Sequence, residues 1–298
     1  MRELPFQLMK RRCAFLAGPL QNLPMPTPRR IHQIKDQGDL RKVRDEDPNF
    51  AGTLAKGLMI LQSFVSDPRA HANSEFADRL GLPRPTVSRL CRTLQALGFL
   101  DHDDRLDRYF IGPAAVTLGY PYVINTPLLG QLRPAMQALA TRIEGAVSVG
   151  VTMDLDVVYV ESSAHEQGTL KRPGVGAVRG IVETAMGRAW LAQLAPAERT
   201  KFLSRARQER PDEYGRCSEG MKESVAQYAK RGFSINLGDA GLGVHAVGVA
   251  SRIRYGSRRL LFNCAVPGYR ARPNDLLKSI GPSLVQLVNM ADRQVGLR

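Results

Sequence analysis

Between Ser74 and Leu100, apolar and polar positions fall into two short helical registers separated by a tight turn. Phe76, Ala77 and Leu80 share one side of the first helix. Ser74 is its expected N-cap, because a hydroxyl there can accept an amide proton left free at a helix start. Gly81 supplies the positive φ at which a helix commonly stops, Leu82-Pro83 turns the chain, and Pro85 suits the start of a second helix. In that helix Val87, Leu90, Cys91, Leu94 and Leu97 predict one buried stripe, and Gly98 ends it. The opposite side carries Arg84, Thr86, Ser88, Arg89 and Arg92.

The flanking pattern extends this unit. Upstream, Thr53 is the expected cap of a helix with a buried stripe of Leu54, Leu58, Leu61, Phe64 and Val65, closed by Asp67-Pro68. Downstream, Phe99–His102 and Arg108–Ile111 read as two strands around the turn Asp103–Asp107. Gly112-Pro113 ends this hairpin, and Ala114–Leu118 reads as a short helix. Gly119-Tyr120-Pro121 and Asn125-Thr126-Pro127 then break the chain twice and predict a linker. Helical spacing resumes from Leu128 to Ile143.

From Val147 the period becomes two. SVGVTMD and DVVYVESS flank Asp154-Leu155-Asp156, and GVHAVGVASRI and RRLLFNCAVPG flank Tyr255-Gly256-Ser257. Helices are predicted over Glu183–Leu194, opened by Thr184, and over Pro196–Arg207, Ser218–Lys230 and Pro273–Arg293. The fold class is α+β: an N-terminal helix-turn-helix with a hairpin wing, then an antiparallel sheet flanked by helices. The expected organisation is an N-terminal extension at 1–49, a helix-turn-helix domain at 50–112, a linker at 113–130 and a second domain at 131–298. Residues 1–48 hold Pro19, Pro24, Pro26 and Pro28 with little periodicity, and predict a flexible extension. KRRCAFLAGPL within it superficially resembles a twin-arginine export signal, but its apolar core is short and no cleavage site follows.

An apolar stripe backed by Arg, Ser and Thr matches the needs of the DNA major groove, where arginine can pair two acceptors on guanine. An ordinary amphipathic helix with a solvated face is the plainer reading of one helix alone. The helix–glycine–turn–helix arrangement with three grouped arginines favours DNA. The formal charge of +14 and pI near 10.0 also favour an anionic partner, nucleic acid ahead of a membrane surface. Yet residues 51–120 carry a net charge of only +1 and residues 121–298 a net of +9. The DNA reading therefore rests on where Arg84, Arg89 and Arg92 sit. The wing offers Arg105 and Arg108 as backbone contacts, against Asp101, Asp103, Asp104 and Asp107, which phosphate repels.

No run of about 18 apolar residues predicts a membrane span. The four cysteines, Cys13, Cys91, Cys217 and Cys264, lack paired metal-ligand spacing and suit a reduced cytoplasmic protein. No cofactor motif or metal site is expected. Two rival functions follow from composition: a thiol-dependent enzyme with Cys217 or Cys264 as nucleophile, and a nucleoid-type binder driven by charge alone.

The stretches TLAKGLMILQSF, LGLPRPTVSRLCRTLQALGFL, RYFIGPAAVTLG and ETAMGRAWLAQL together resemble the IclR family of bacterial transcription regulators, over most of the chain after about residue 50. The resemblance implies a winged helix-turn-helix followed by a GAF-like effector-sensing domain, acting as a homodimer or homotetramer, repressor or activator, on a double-stranded DNA operator. It implies a small-molecule effector, expected here to be an organic acid, bound between the sheet and the loop and helix at Gly180 to Gly187. Carried over by position, the effector candidates are Arg179, Thr184, Ala185, Met186, Asn236, Val244, Ala246, Asn263 and Ala265. Arg179 is either a partner for two acid oxygens or a surface arginine. The loop reads Gly180-Ile181-Val182, a departure from the family's Pro-Leu-His or similar. His245 alternates to the other side of its strand and is expected to be structural.

Overall fold

The computed structural model describes residues 36–166, 174–239 and 243–297. Most of the expected N-terminal extension, including Cys13 and the stretch resembling an export signal, lies outside the described residues.

The N-terminal part comprises α1 (Gln37–Glu46), α2 (Gly52–Ser66), α3 (Asn73–Leu80), α4 (Arg84–Ala96) and an antiparallel pair, β1 (Leu100–Asp103) and β2 (Arg108–Ile111). Ile60, Phe64, Phe76, Leu80, Val87, Cys91, Leu94 and Leu100 share one apolar core. Leu40 of α1 also lies in that core, so this unit begins before residue 50 and the extension is shorter than its sequence suggests. Gly81 and Gly98 both take positive φ, at 63° and 76°, where the two helices end. A side chain with a Cβ is disfavoured in that left-handed conformation.

Four local expectations fail, each for a physical reason. Leu54 and Val65 are exposed, at 64% and 61%, and so is Leu58; of the expected stripe α2 buries Phe64, together with Met59, Ile60 and Ser63. That helix is apolar on nearly all sides, so its period does not reveal which side faces inward. Leu97 is also exposed, because α4 has ended and the chain is turning toward Gly98. The caps differ as well: α2 starts at Gly52 without a side-chain cap, and at the head of α3 the Glu75 carboxylate accepts the Ala72 amide at 3.1 Å. Finally, the predicted double break does not occur at Pro121. α5 runs unbroken over Ala114–Ile124, because a proline there removes only one backbone bond and the Asn125 amide still reaches the Pro121 carbonyl.

After α6 (Pro127–Arg142) the chain builds a six-stranded antiparallel sheet in the order β5-β4-β3-β8-β7-β6. The strands are β3 (Ala146–Met153), β4 (Asp156–Ala164), β5 (Val178–Gly180), β6 (Ser234–Asn236), β7 (Val244–Tyr255) and β8 (Arg258–Pro267). Between β5 and β6 run α7 (Ala185–Ala192), α8 (Pro196–Glu209) and α9 (Pro211–Arg231). The chain closes with a helical turn at Pro273–Asp275, a π-helical stretch at Leu276–Ile280 and α10 (Gly281–Gln294). One sheet face, with Val147, Val149, Val247, Phe262 and Cys264, packs on Leu132 and Met136 of α6 and Leu284 and Val288 of α10. The other face packs only in part: Val157, Tyr159, Ala250 and Leu261 meet Met186 of α7, Phe202 of α8 and Met221 of α9.

The N-terminal unit is tied by charge at Glu75. Its carboxylate accepts from Arg69 at 3.0 Å and Arg108 at 3.2 Å, and it faces His71 Nδ1 at 3.3 Å. The Arg69 guanidinium foremost, with the Ala72 amide and Arg108, holds its pKa at about 2 against the opposing effect of burial. A depressed carboxylate adds stability above its unfolded pKa near ~4.3, and that stability fades as pH falls toward the folded value. Glu75→Gln should therefore melt below the native protein at pH 7, with the gap closing between about pH 4.5 and pH 2.5. Melting curves across that range check this, and a gap independent of pH contradicts it.

Candidate nucleic-acid interface and effector face

Helix α4 is positioned by what it buries. Val87 and Cys91 are fully buried and Leu94 nearly so, against Ile60 and Phe76. That contact turns Arg84, Arg89 and Arg92 out to solvent, while Thr86 and Ser88 are half-buried beside them. Among the described residues none of the three arginines forms an ion pair, so their donors are available to an anionic ligand. Gln95 is exposed on the same side, in the row that runs through Arg84, Ser88 and Arg92. A search for arginines and hydroxyls passes it over, although its spacing marks it.

The wing does less than its arginines suggest. Arg105 is exposed in the turn. Arg108 is half-buried and already engaged: its Nη1 donates to the Ala70 carbonyl at 3.1 Å and to Glu75. The residue that holds it is 33 positions away and is invisible to local pattern. Asp103 accepts the Arg105 and Leu106 amides and shapes the turn, while Asp104 and Asp107 flank His102 at 2.8 and 3.3 Å. The wing tip is therefore acidic apart from Arg105.

The partly covered sheet face carries the effector candidates. Ala246 pairs with Ala265 and Gly248 with Asn263 on β7 and β8, and Asn263 pairs with Ser148 on β3. These residues share one face by strand alternation. Ala246, Ala265 and Val244 keep partial exposure, and Ser148 Oγ meets Ser162 Oγ at 2.9 Å. Asn263 Oδ1 is buried without a hydrogen-bond partner. Such an atom costs about 1–3 kcal/mol unless something supplies a donor. Ser148 and Ser162 carry no motif that singles them out, yet the alternation of small residues Ala146, Ser148 and Gly150 with Val147, Val149 and Val151 displays the first of them.

The remaining candidates have other duties. Thr184 caps α7, accepting the Gly187 amide at 3.1 Å. Ala185 and Met186 are buried where α7 meets the sheet; a Cβ at Gly248 would collide with the Ala185 backbone. Asn236 donates to the Glu183 carbonyl at 2.5 Å and accepts the Gly238 and Asp239 amides, so it is a brace. Arg179 is exposed on edge strand β5, where its charge acts on the Tyr159 phenol, whose burial pushes it up to about 12. His245 turns to the other face and its Nδ1 meets the Ala271 carbonyl at 3.0 Å. Cys217 and Cys264 are buried, and burial pushes both thiols up, opposite to what a nucleophile needs. Among the described residues no group of three or more His, Cys, Asp or Glu side chains could hold a metal ion, and no helix is long and apolar enough to cross a membrane.

Comparison with known proteins falls on both regions. Residues 53–104 match the family model of the IclR helix-turn-helix domain, and residues 121–293 match that of the bacterial transcriptional regulator IclR C-terminal. The chain is similar to a crystal structure of an IclR family transcriptional regulator from Brucella abortus, with 30% identity and a TM-score of 0.75, covering 85% of this chain and 96% of that one. It is 29% identical over 161 residues to the Pca regulon regulatory protein of Pseudomonas putida, covering 54% of this chain and only 55% of that relative's length. An IclR homolog from Microbacterium hydrocarbonoxydans, crystallised with 4-hydroxybenzoate, shares the fold at 18% identity and a TM-score of 0.61, covering 80% of this chain and 99% of that one.

The orphaned Asn263 oxygen makes a stability prediction. Asn263→Leu, of the same branched shape, should raise the melting temperature of the free protein by removing a buried acceptor that lacks a donor. Thermal denaturation without ligand checks this, and a lower melting temperature would mean that the amide is already satisfied.

Proposed function

The chain belongs to the IclR family of bacterial transcriptional regulators, and from that premise we propose how it reads DNA and what it senses. The carrying observation is the outward arginine face of α4, held by its own buried stripe. In this reading α4 enters the major groove and Arg84, Arg89 and Arg92 take guanine edges and phosphates, with Ser88 and Gln95 in the same row. The protein acts in the cytoplasm, where its operator is.

It acts as a homodimer. The exposed apolar row Leu54, Leu58 and Val65 on α2, and Val116, Leu118, Tyr120 and Ile124 on α5, are large unpartnered side chains on two helices. Exposed large apolar side chains grouped on a helix mark an interaction site. Pairing two copies there would set two copies of α4 about one duplex turn of ~34 Å, or a multiple of it, apart.

The effector is a small organic acid bearing a hydroxyl. The Ser148–Ser162 hydroxyl pair makes this face polar, and the buried Asn263 oxygen needs a donor such as a hydroxyl. Ala246 and Ala265 leave room over the sheet. Binding there would shift the balance of subunit arrangements and hence operator affinity.

Three measurements test these points. In a gel-shift titration on a duplex selected by the native protein from a random-sequence pool, Arg89→Ala should lower affinity by ~1–3 kcal/mol, the worth of one base-edge pair. Unchanged affinity removes α4 from the groove. Leu58→Glu with Val65→Glu should shift the sedimenting species toward monomer; an unaltered distribution places the interface elsewhere. With 4-hydroxybenzoate as probe, the native protein should show a ligand-induced rise in melting temperature that Ala265→Phe abolishes. A rise that survives the substitution, or a native protein indifferent to the whole series of small hydroxy acids, contradicts the assignment of this face.

A further inference from the structure

The basic excess of this chain lies outside the helix-turn-helix, and part of it converges on one hairpin tip. Between positions 252 and 259 the sequence reads RIRYGSRR, with four arginines around the Gly256-Ser257 turn that joins β7 to β8. Arg254 and Arg258 are exposed, and Arg259 is half-buried. Each is anchored by a backbone carbonyl: Arg254 Nη1 to Ser257 at 3.0 Å, Arg258 Nε to Thr152 at 2.9 Å, and Arg259 Nη1 to Ser251 at 3.2 Å. Such anchors orient a guanidinium and leave its charge and most of its five donors unspent.

Carboxylates on the adjoining elements are already committed. In the neighbouring β3–β4 turn, Asp154 is paired with Arg205 and Asp156 with Arg210. Asp292 accepts the Ser251 hydroxyl and the Arg252 amide. Among the described residues, Arg254, Arg258 and Arg259 have no ion-pair partner. An exposed cluster of like charge without carboxylate partners attracts anions.

The tip also has a defined neighbour. Tyr255, between Arg254 and the turn, packs its ring edge-on against Tyr122 with centroids 4.7 Å apart. Tyr122 belongs to α5, which leaves the wing strand β2 after only Gly112 and Pro113. At 1.5 Å per residue, Tyr122 lies only ~12 Å along that helix from Ala114. The arginine tip is thus fixed to the segment that leaves the DNA-reading unit.

We propose that the β7–β8 tip is a second DNA contact, in which Arg254 and Arg258 take backbone phosphates of the duplex flanking the sequence read by α4. This rests on the DNA-binding reading above and deepens it. The contact adds affinity and salt dependence without sequence preference, since phosphates carry no base information.

The test is a salt titration of the full chain on a duplex selected by the native protein from a random-sequence pool. Arg254→Ser with Arg258→Ser should lower the slope of log affinity against log salt by about 1.8 per protomer, at about 0.9 for each phosphate no longer neutralised. The preferred sequence should not change. Arg254→Lys with Arg258→Lys should keep the native slope, and the charge-matched pair Lys201→Ser with Arg207→Ser, at exposed positions of α8, should leave it unaltered. Trimming the duplex flanks should weaken the native protein and not the serine variant. A serine variant that folds with a native melting curve and keeps the native slope overturns the proposal while leaving the role of α4 intact. An equal loss of slope in the α8 pair also overturns it, because the effect would then be general charge. A native protein that selects no duplex overturns both the proposal and the reading beneath it.

Discussion

The recognition surface depends on one packing contact: the stripe Val87, Cys91 and Leu94 pressed against Ile60 and Phe76. A helix can bury only one side, and burying this one leaves three guanidinium groups facing water without carboxylate partners among the described residues. Burial of a few aliphatic side chains, each worth roughly 1.5–3 kcal/mol, is what keeps the charged face at a fixed angle. A rigid angle matters because a displaced guanidinium loses both bonds of a bidentate guanine contact. The same unit commits Arg69 and Arg108 to Glu75 and so separates structural arginines from those left free.

The sheet follows a similar logic with the opposite outcome. Its first face is closed by α6 and α10 with large aliphatic residues and Phe262. Its second face is closed over one end by α7, whose start fits against Gly248 because no side chain intervenes. Over the remainder the described side chains include Ala, Ser and Val, with Asn263 and its unanswered oxygen among them. Small side chains beside an unanswered asparagine oxygen suit a small polar ligand, as the effector reading requires. The buried arginine Arg188, which donates to Val182, Ile235 and Asp239, ties α7 to the strand and loop beside this face.

Local rules made much of this legible. Gly81 and Gly98, the apolar stripe of α4 and the three hairpins follow from turn chemistry and periodicity. What was not legible depends on distant partners or on patterns with no polar side. Helix α2 is apolar almost all round, so its outward row of Leu54, Leu58 and Val65 is distinguishable from its inward row only in three dimensions. Arg108 reads as a free wing residue until Glu75, far back in the chain, is seen to hold it. Pro121 reads as a break, but a helix with packed neighbours such as Tyr122 on Tyr255 tolerates one missing backbone bond. Ser148 and Ser162 read as polar filler until strand pairing places Ser148 between Ser162 and Asn263.

The central claim is that guanidinium groups of α4 meet base edges in the major groove. Interference by methylation of guanine N7 on a duplex bound by the full chain tests it most directly, because that atom is one of the two acceptors an arginine takes. The account predicts that methylation blocks binding at a few guanines grouped in two symmetric half-sites. Binding unaffected by methylation at every guanine would contradict it.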